Sequence, residues 1–342
     1  MLRALRFVTG AGPAEIGAKP DIDARRVKIG GAIESEKYDI VGLSEVFSPD
    51  DRAALLAEIP QHQVEIGVET PSVPVGGQNL RVEGPKGSGL CTLTRGPDGS
   101  RPSIVESDRI AFTDPGYILR DTDAFAGKGV LFTRLDLGPG HIDVYTAHLL
   151  SGNDIPSGVE IAVRVATGVT TLGLSEIGWR KEKKPVRDIR ISQVRELADF
   201  VRRTRDHQNP VIVLGDFNIE AEPSVPGSEY QELLEIMYDL GLQDTWLNRG
   251  SAWGGTHDAD NTCEREPDSG LAFRCVDYPD GSVPQRSKRI DYVFVELSSR
   301  DHSFTLDISR IRRASFWRGN NQPTPYLSDH LGLEFTLIAS PR

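Results

Sequence analysis

Along the chain, short apolar runs rich in Val, Ile and Phe alternate with amphipathic stretches and Gly/Pro loops, which is the pattern of an α/β domain. The runs Leu5–Val8, Ile40–Leu43, Leu90–Thr94, Val130–Leu135, Ile142–Ala147, Val211–Leu214, Ile290–Val295 and Leu333–Ile338 read as strands. Helices are marked by their ends as much as by their periodicity. Ser48-Pro49-Asp50-Asp51 joins an N-cap hydroxyl, a proline for the first helical position and acids for the positive dipole end, ahead of Ala53–Ile59. Ile191, Val194, Leu197, Ala198 and Val201 recur at three- and four-residue spacing, predicting a helix from about Ile189 to Thr204. A third helix covers Glu229 to Leu240 and stops at Gly241, and Ala24–Ser35 reads as a fourth. Gly67–Ser88 and Asn248–Ser287 read as two long loops, expected to rim the site.

Composition narrows the class without naming a function. The 342 residues leave one or two domains open, and neither an internal repeat nor a low-complexity linker divides them. With 38% hydrophobic and 26% charged residues the chain can bury a sizeable core. A net charge of −11 argues against binding nucleic acid or acidic lipid over the whole surface, because such binding neutralises phosphates with Lys and Arg. Arg180–Arg205 departs from that average with a local net of +6, leaving −17 elsewhere. It reads as the wet face of an amphipathic helix, or as an attractor for an anionic headgroup or nucleic acid. No stretch approaches a membrane span, and the start, MLRALRFVTG, lacks the apolar run of a signal peptide. The expected protein is a monomer, cytoplasmic, or secreted if a leader has been removed. Cys91, Cys263 and Cys275 form no CxxC pair and are odd in number, which supports neither a zinc ribbon nor a disulfide framework. A single Cys263–Cys275 bridge within a turn-rich segment stays open.

Polar residues sit repeatedly at the ends of the apolar runs. Ile40-Val41-Gly42-Leu43-Ser44 leads to Glu45, Val144-Tyr145-Thr146-Ala147 to His148, and Val211-Ile212-Val213-Leu214-Gly215 to Asp216 and then Asn218. Arg289-Ile290-Asp291-Tyr292 and Ser328-Asp329-His330 follow. Any one of these alone reads as a solvated strand cap. Converging on one rim, they supply what metal-assisted phosphodiester hydrolysis needs. Carboxylates suit a hard divalent ion such as Mg²⁺, a carboxylate can activate water, and His and Asn donors stabilise charge on phosphorus and its leaving oxygen. The Cys and His pairs at short spacing that zinc prefers are absent.

These motifs, with Val46-Phe47 after Glu45 and Leu149 after His148, resemble the ordered motifs of the endonuclease/exonuclease/phosphatase superfamily, the DNase I-like fold. The resemblance implies a four-layer α/β sandwich of two stacked mixed β-sheets flanked by helices, in a single domain over residues 1–342. It also implies roles. Glu45 is the principal metal ligand and Asp329 adds a carboxylate near the metal. Asp216 positions or activates the water, Asn218 holds a phosphoryl oxygen, Asp291 orients and charges His330, and His148 is a further phosphate-stabilising or acid residue. Mg²⁺ is the implied cofactor, with Mn²⁺ as a substitute. In one place the sequence departs from the pattern: Phe7-Val8-Thr9-Gly10-Ala11 has Gly and Ala where the family carries an aromatic residue and an Asn at the end of the first strand.

Three further segments are similar to the neutral sphingomyelinase branch: Glu45-Val46-Phe47, Gly89-Leu90-Cys91-Thr92-Leu93-Thr94-Arg95, and Asp123–Val130 with Lys128 just before an apolar run. Gln193, Glu196, Leu197 and Phe200 also resemble a helix motif of that branch. The resemblance assigns Lys128 to the substrate phosphate, against a plain reading as a solvated lysine. Asn261, in a segment similar to G-x-T-x-D-x-x-N, is assigned to the substrate, whereas His257 and Asp258 read as turn residues. The expected substrate is a phosphodiester, a lipid headgroup ahead of nucleic acid. The alternatives are a nuclease and a binding protein of the same fold with weakened catalysis.

Overall fold

The computed structural model describes residues 3–11, 22–47, 49–69, 72–75, 78–81, 87–96, 102–114, 127–151, 185–221, 226–249, 256, 288–296, 304–314, 328 and 330–341. In chain order the strands are β1 (Arg3–Ala11), β2 (Ile40–Ser44), β3 (His62–Ile66), β4 (Ser72–Val75), β5 (Gln78–Arg81), β6 (Cys91–Arg95) and β7 (Ser103–Ala111). They continue with β8 (Gly129–Asp136), β9 (His141–His148), β10 (Val211–Asp216), β11 (Leu242–Asp244), β12 (Asp291–Glu296), β13 (Phe304–Ala314) and β14 (Gly332–Pro341). The helices are α1 (Ile22–Glu36), α2 (Pro49–Ala57), α3 (Val186–Thr204), α4 (Glu229–Asp239) and α5 (Thr245–Arg249).

Strand β10 shows how the layers arise. Its side chains alternate across the pleat: Val211 and Val213 pack outward against α3 and α4, while Ile212 and Leu214 pack inward against the other sheet. A strand buried on both faces reads as an unbroken apolar run, which is why Val211–Leu214 is legible in the sequence. The two sheets have the orders β13-β14-β1-β2-β6-β3 and β11-β12-β10-β9-β8-β7. Between them lies a core that includes Ile40, Val144, Ile212, Leu214, Val293 and Phe335. On the outer face of the first sheet, Ile29, Ile33 and Leu55 of α1 and α2 cover Val41, Leu43 and Leu93. The outer face of the second is covered by α3 and α4. The architecture is the expected four-layer sandwich.

The sheets meet closely at Gly42. A Cβ placed there would lie 2.3 Å from Leu214 Cδ1 of the opposite sheet, so only glycine leaves room for that leucine. Beside this contact the hydroxyls of Thr92 and Thr146 bridge the sheets at 3.1 Å.

Each sheet holds one parallel pair, β1 with β2 and β9 with β10, the other pairings being antiparallel. Parallel neighbours require a crossover, and α1 and α3 lie in those connections. The carboxyl ends of the paired strands therefore emerge together, and the antiparallel neighbours β12 and β14 begin at that same end.

The helices start and stop much as their end signals require. Ser228 Oγ accepts from the Gln231 amide at the start of α4, and Gly241 beyond its end has φ +80°. Helix α2 begins at Pro49, while its expected cap, Ser48, lies outside the described residues. Gly67–Ser88 is not simply a loop. It contains the hairpin β4–β5, whose register pairs Val75 with Gln78 across Gly76-Gly77, a two-residue link that suits a tight hairpin turn. Of the second expected loop, Thr256 and the α5 residues Asn248 and Arg249 are described; Cys263 and Cys275 lie outside. Cys91 is buried in β6, and burial pushes its thiol up to about 12. Among the described residues no helix is long and apolar enough to cross a membrane.

Candidate active site

The strand ends bring six of the expected residues together. Glu45 follows β2, His148 ends β9, Asp216 ends β10 with Asn218 just beyond, Asp291 opens β12, and His330 precedes β14. Ligand atoms of Glu45, His148 and Asp216 lie within 4.8 Å of one another, as do those of Asp216, Asp291 and His330. Asp216 belongs to both groups and is the centre of the site. Lys128, just before β8, is also there and is not a solvated lysine: it is 3% exposed. Asp329 and Asn261 lie outside the described residues.

Two backbone features aim the carboxylates. Glu45 has φ +63°, a left-handed conformation that a side chain with a Cβ seldom adopts. Gly89 makes room for this kink, since a Cβ there would lie 2.7 Å from the Phe47 ring and 3.0 Å from Glu45 Cα, and its carbonyl accepts from the Val46 amide at 2.9 Å. Asn218 has φ +52°, which asparagine tolerates better than most residues, and so turns its amide back towards the strand it has just left. Its backbone N–H donates to Asp216 Oδ1 at 2.8 Å, and its Nδ2 donates to Leu149 O at 2.9 Å and to Asp216 Oδ2 at 3.2 Å. Asn218 thus fixes the Asp216 carboxylate.

His330 Nδ1–H donates to Asp291 Oδ2 at 2.8 Å, which leaves Nε2 3.9 Å from Asp216 Oδ2. On the other side, His148 Nε2 is 3.5 Å from Asp216 Oδ2 and 3.9 Å from Glu45 Oε1, and Lys128 Nζ lies 2.7 Å from the same Nε2. Lys128 Nζ is also 3.4 Å from His148 Nδ1, so the lysine lies against the face of the imidazole rather than in line with one ring nitrogen.

Burial pushes the Asp216 carboxyl up to about 7; His330 opposes this, Asp291 adds to it, and Lys128 and the Asn218 amide oppose it. A desolvated cluster of carboxylates of this kind favours a cation. With Lys128 against His148, Glu45 and Asp216 supply hard oxygen donors, and Asp291 Oδ1 is buried without a hydrogen-bond partner. These residues fit a divalent cation that prefers oxygen. In the first strand, Ala11 is the residue in register with Ser44, next to Glu45.

Some supporting residues had no role assigned from the sequence. Arg289 is 2% exposed; it donates to Asp244 Oδ2 at 2.8 Å and to Tyr230 Oη at 2.9 Å, with Tyr292 stacked 4.8 Å from its guanidinium. Its carbonyl accepts from the Ala221 amide and that of Ile290 from the Phe217 amide, so this segment also anchors the loop carrying Asn218. Gln193 of α3, buried, accepts from Leu150 N at 2.9 Å and donates to Asp114 O at 2.8 Å, bracing the chain just after His148. Gly215 is required by contact: a Cβ there would meet the carbonyl of Ala147 at 2.0 Å.

A two-sheet sandwich with an oxygen-rich site at the strand ends defines the class, and comparison with known sequences agrees. The chain belongs to the Endonuclease/Exonuclease/phosphatase family, which it matches over residues 18–330. It is similar to a putative neutral sphingomyelinase of Caenorhabditis elegans, with 26% identity over 78% of this chain and 51% of that protein. It is also similar to human sphingomyelin phosphodiesterase 2, with 25% identity over 58% of this chain and 37% of that one. The chain therefore spans about half the length, or less, of these relatives. The crystal structure of D. rerio TDP2 complexed with single strand DNA product shares the fold with a TM-score of 0.60, at 15% identity over 98% of both chains.

Proposed function

We propose that this chain is a Mg²⁺-dependent phosphodiesterase of sphingomyelinase-like specificity. The observation that carries the reading is the convergence on Asp216 of a carboxylate–lysine–imidazole group on one side and the Asp291–His330 pair on the other. Glu45 and Asp216 would hold the cation. When bound, it supplies charge neutralisation and Lewis acidity to the phosphate. Water attacks phosphorus in line, and the bond from phosphorus to the leaving oxygen breaks. Asp216, at the centre of the site, takes the proton of the water. His330, oriented by Asp291, and Lys128 face the charge that builds on the phosphoryl oxygens, and the leaving oxygen is reprotonated from solvent.

The lipid reading is supported by the similarity to two sphingomyelinases and by the motifs around Glu45, Cys91 and Lys128. In the described part of the basic segment, the arginines at 187, 190, 195, 202 and 205 are ion-paired with Glu232, Glu229, Glu232, Asp199 and Glu296, and Arg203 lies over Phe200. These pairs weaken the basic segment as support for the nucleic-acid reading.

Hydrolysis of sphingomyelin in mixed micelles, bis(p-nitrophenyl) phosphate and single-stranded DNA, each with Mg²⁺ and with chelator, tests the proposal. Sphingomyelin turnover that chelator abolishes is the expected result. Cleavage of DNA alone would overturn the lipid reading, and turnover of none of the three would overturn the enzyme reading.

A further inference from the structure

The Asp291–His330 bond joins segments 39 residues apart, so something must hold both backbones in register. The residue placed to do so is Thr256. It is fully buried, and its atoms reach both segments. Its hydroxyl oxygen accepts from the amides of Ile290 and Asp291, each at 3.2 Å. Its own amide donates to Lys288 O at 2.9 Å, and its carbonyl accepts from Leu331 N, directly after His330, at 2.7 Å.

The chemistry explains why a hydroxyl is needed. At its first residues β12 presents buried amides that must be satisfied. A hydroxyl oxygen has two lone pairs and can take both, and the branched Cβ of threonine limits the side chain to few rotamers. A backbone carbonyl pointed the opposite way then fixes the residue that follows the imidazole. One residue thus links the backbones that carry Asp291 and His330.

We propose that Thr256 is a positioning residue for the Asp291–His330 pair, fixing the carboxylate and the imidazole at bonding distance through their backbones. The proposal rests on the phosphodiesterase reading for its kinetic arm only.

Thr256→Val keeps the shape and removes the acceptor, whereas Thr256→Ser keeps the acceptor. With Mg²⁺ and bis(p-nitrophenyl) phosphate, Thr256→Val should lower kcat by about 10- to 100-fold, the scale expected when a catalytic group is misplaced by about an ångström, and leave KM within about twofold. Thr256→Ser should recover most of the loss. In parallel, the downfield Nδ1–H proton resonance of His330, assigned by its disappearance in His330→Gln, should be lost in Thr256→Val and kept in Thr256→Ser. This signal needs no substrate, so if the wild-type chain hydrolyses no diester the phosphodiesterase reading falls while the resonance still decides the positioning role. Should Thr256→Val fail to fold, Thr256→Ala takes its place. A folded Val or Ala variant that keeps both the wild-type kcat and the resonance overturns the proposal, and so does an equal loss in the Ser variant.

Discussion

Lys128 Nζ lies 2.7 Å from Nε2 of His148 and 3.4 Å from its Nδ1, and both side chains are buried. A buried ammonium costs several kcal/mol in desolvation unless charge nearby compensates it. Here the compensation comes from the carboxylate side of the site, where Lys128 in turn favours the ionised form of Asp216. A negatively charged phosphate arriving at this place would find a cation already desolvated and aimed.

Replacing that cation should therefore weaken the reaction more than the fold. Lys128→Met is expected to lower kcat/KM by about 10- to 100-fold, matching the roughly 1.5–3 kcal/mol of a hydrogen bond to a charged group, while the melting temperature changes little or rises. Steady-state kinetics beside thermal unfolding would check this. Unchanged kcat/KM would return Lys128 to a structural role.

Asp216 gives a pH signature in the metal-free protein. Its carboxyl moves from an ordinary value of 3.8 up to about 7 on folding, so between those values the folded chain binds more protons than the unfolded one. Stability from this residue is then highest below the lower value and falls as pH rises through the higher. Asp216→Asn removes the effect. Melting temperatures measured in chelator should show the variant gaining on the wild type across that window, and a difference that is flat with pH would contradict the assignment. Turnover by the same variant should fall by at least about 100-fold, the usual loss of a general base.

Glu45 should govern the metal requirement. Glu45→Gln removes a charge from the oxygen donors and is expected to raise the Mg²⁺ concentration for half-maximal turnover by about tenfold or more, following the roughly 1.5–3 kcal/mol scale of a charged contact. Calorimetric titration of Mg²⁺ gives a second reading without substrate. Equal titration curves for the variant and the wild type would remove Glu45 from the ligand set.

Arg289 should matter chiefly to folding. Arg289→Met removes the guanidinium from buried Asp244, and breaking such a pair typically costs about 3–5 kcal/mol. Denaturant unfolding should show this, and the double change Arg289→Met with Asp244→Leu should recover part of it, since an isolated charge no longer remains. An additive double mutant would mean that the pair is not coupled.

Much of the fold was legible because inner strands carry unbroken apolar runs, as Val211–Leu214 and Val130–Phe132 do. Edge strands were not. In β7 the exposed Glu106, Asp108 and Arg109 interrupt the run, and in β13 the buried Leu306, Ile308 and Ile311 lose their alternation where the register shifts between Ile308 and Arg310. The site was legible where a polar residue ends an apolar run, as with Glu45, His148 and Asp216. The parts played by Thr256 and Arg289 were not. The partners of these side-chain hydrogen bonds lie 34 to 59 residues away along the chain, and no local pattern marks such a contact.

Glu45 follows a strand of one sheet and Asp216 ends a strand of the other, so neither sheet alone fixes the gap between the two carboxylates. That gap is gauged beneath the site, where Leu214 occupies the place a side chain at position 42 would need. An alanine at Gly42 would act as a shim. It would displace Leu214 or widen the space between the sheets, and so reach the two carboxylates from below without touching either.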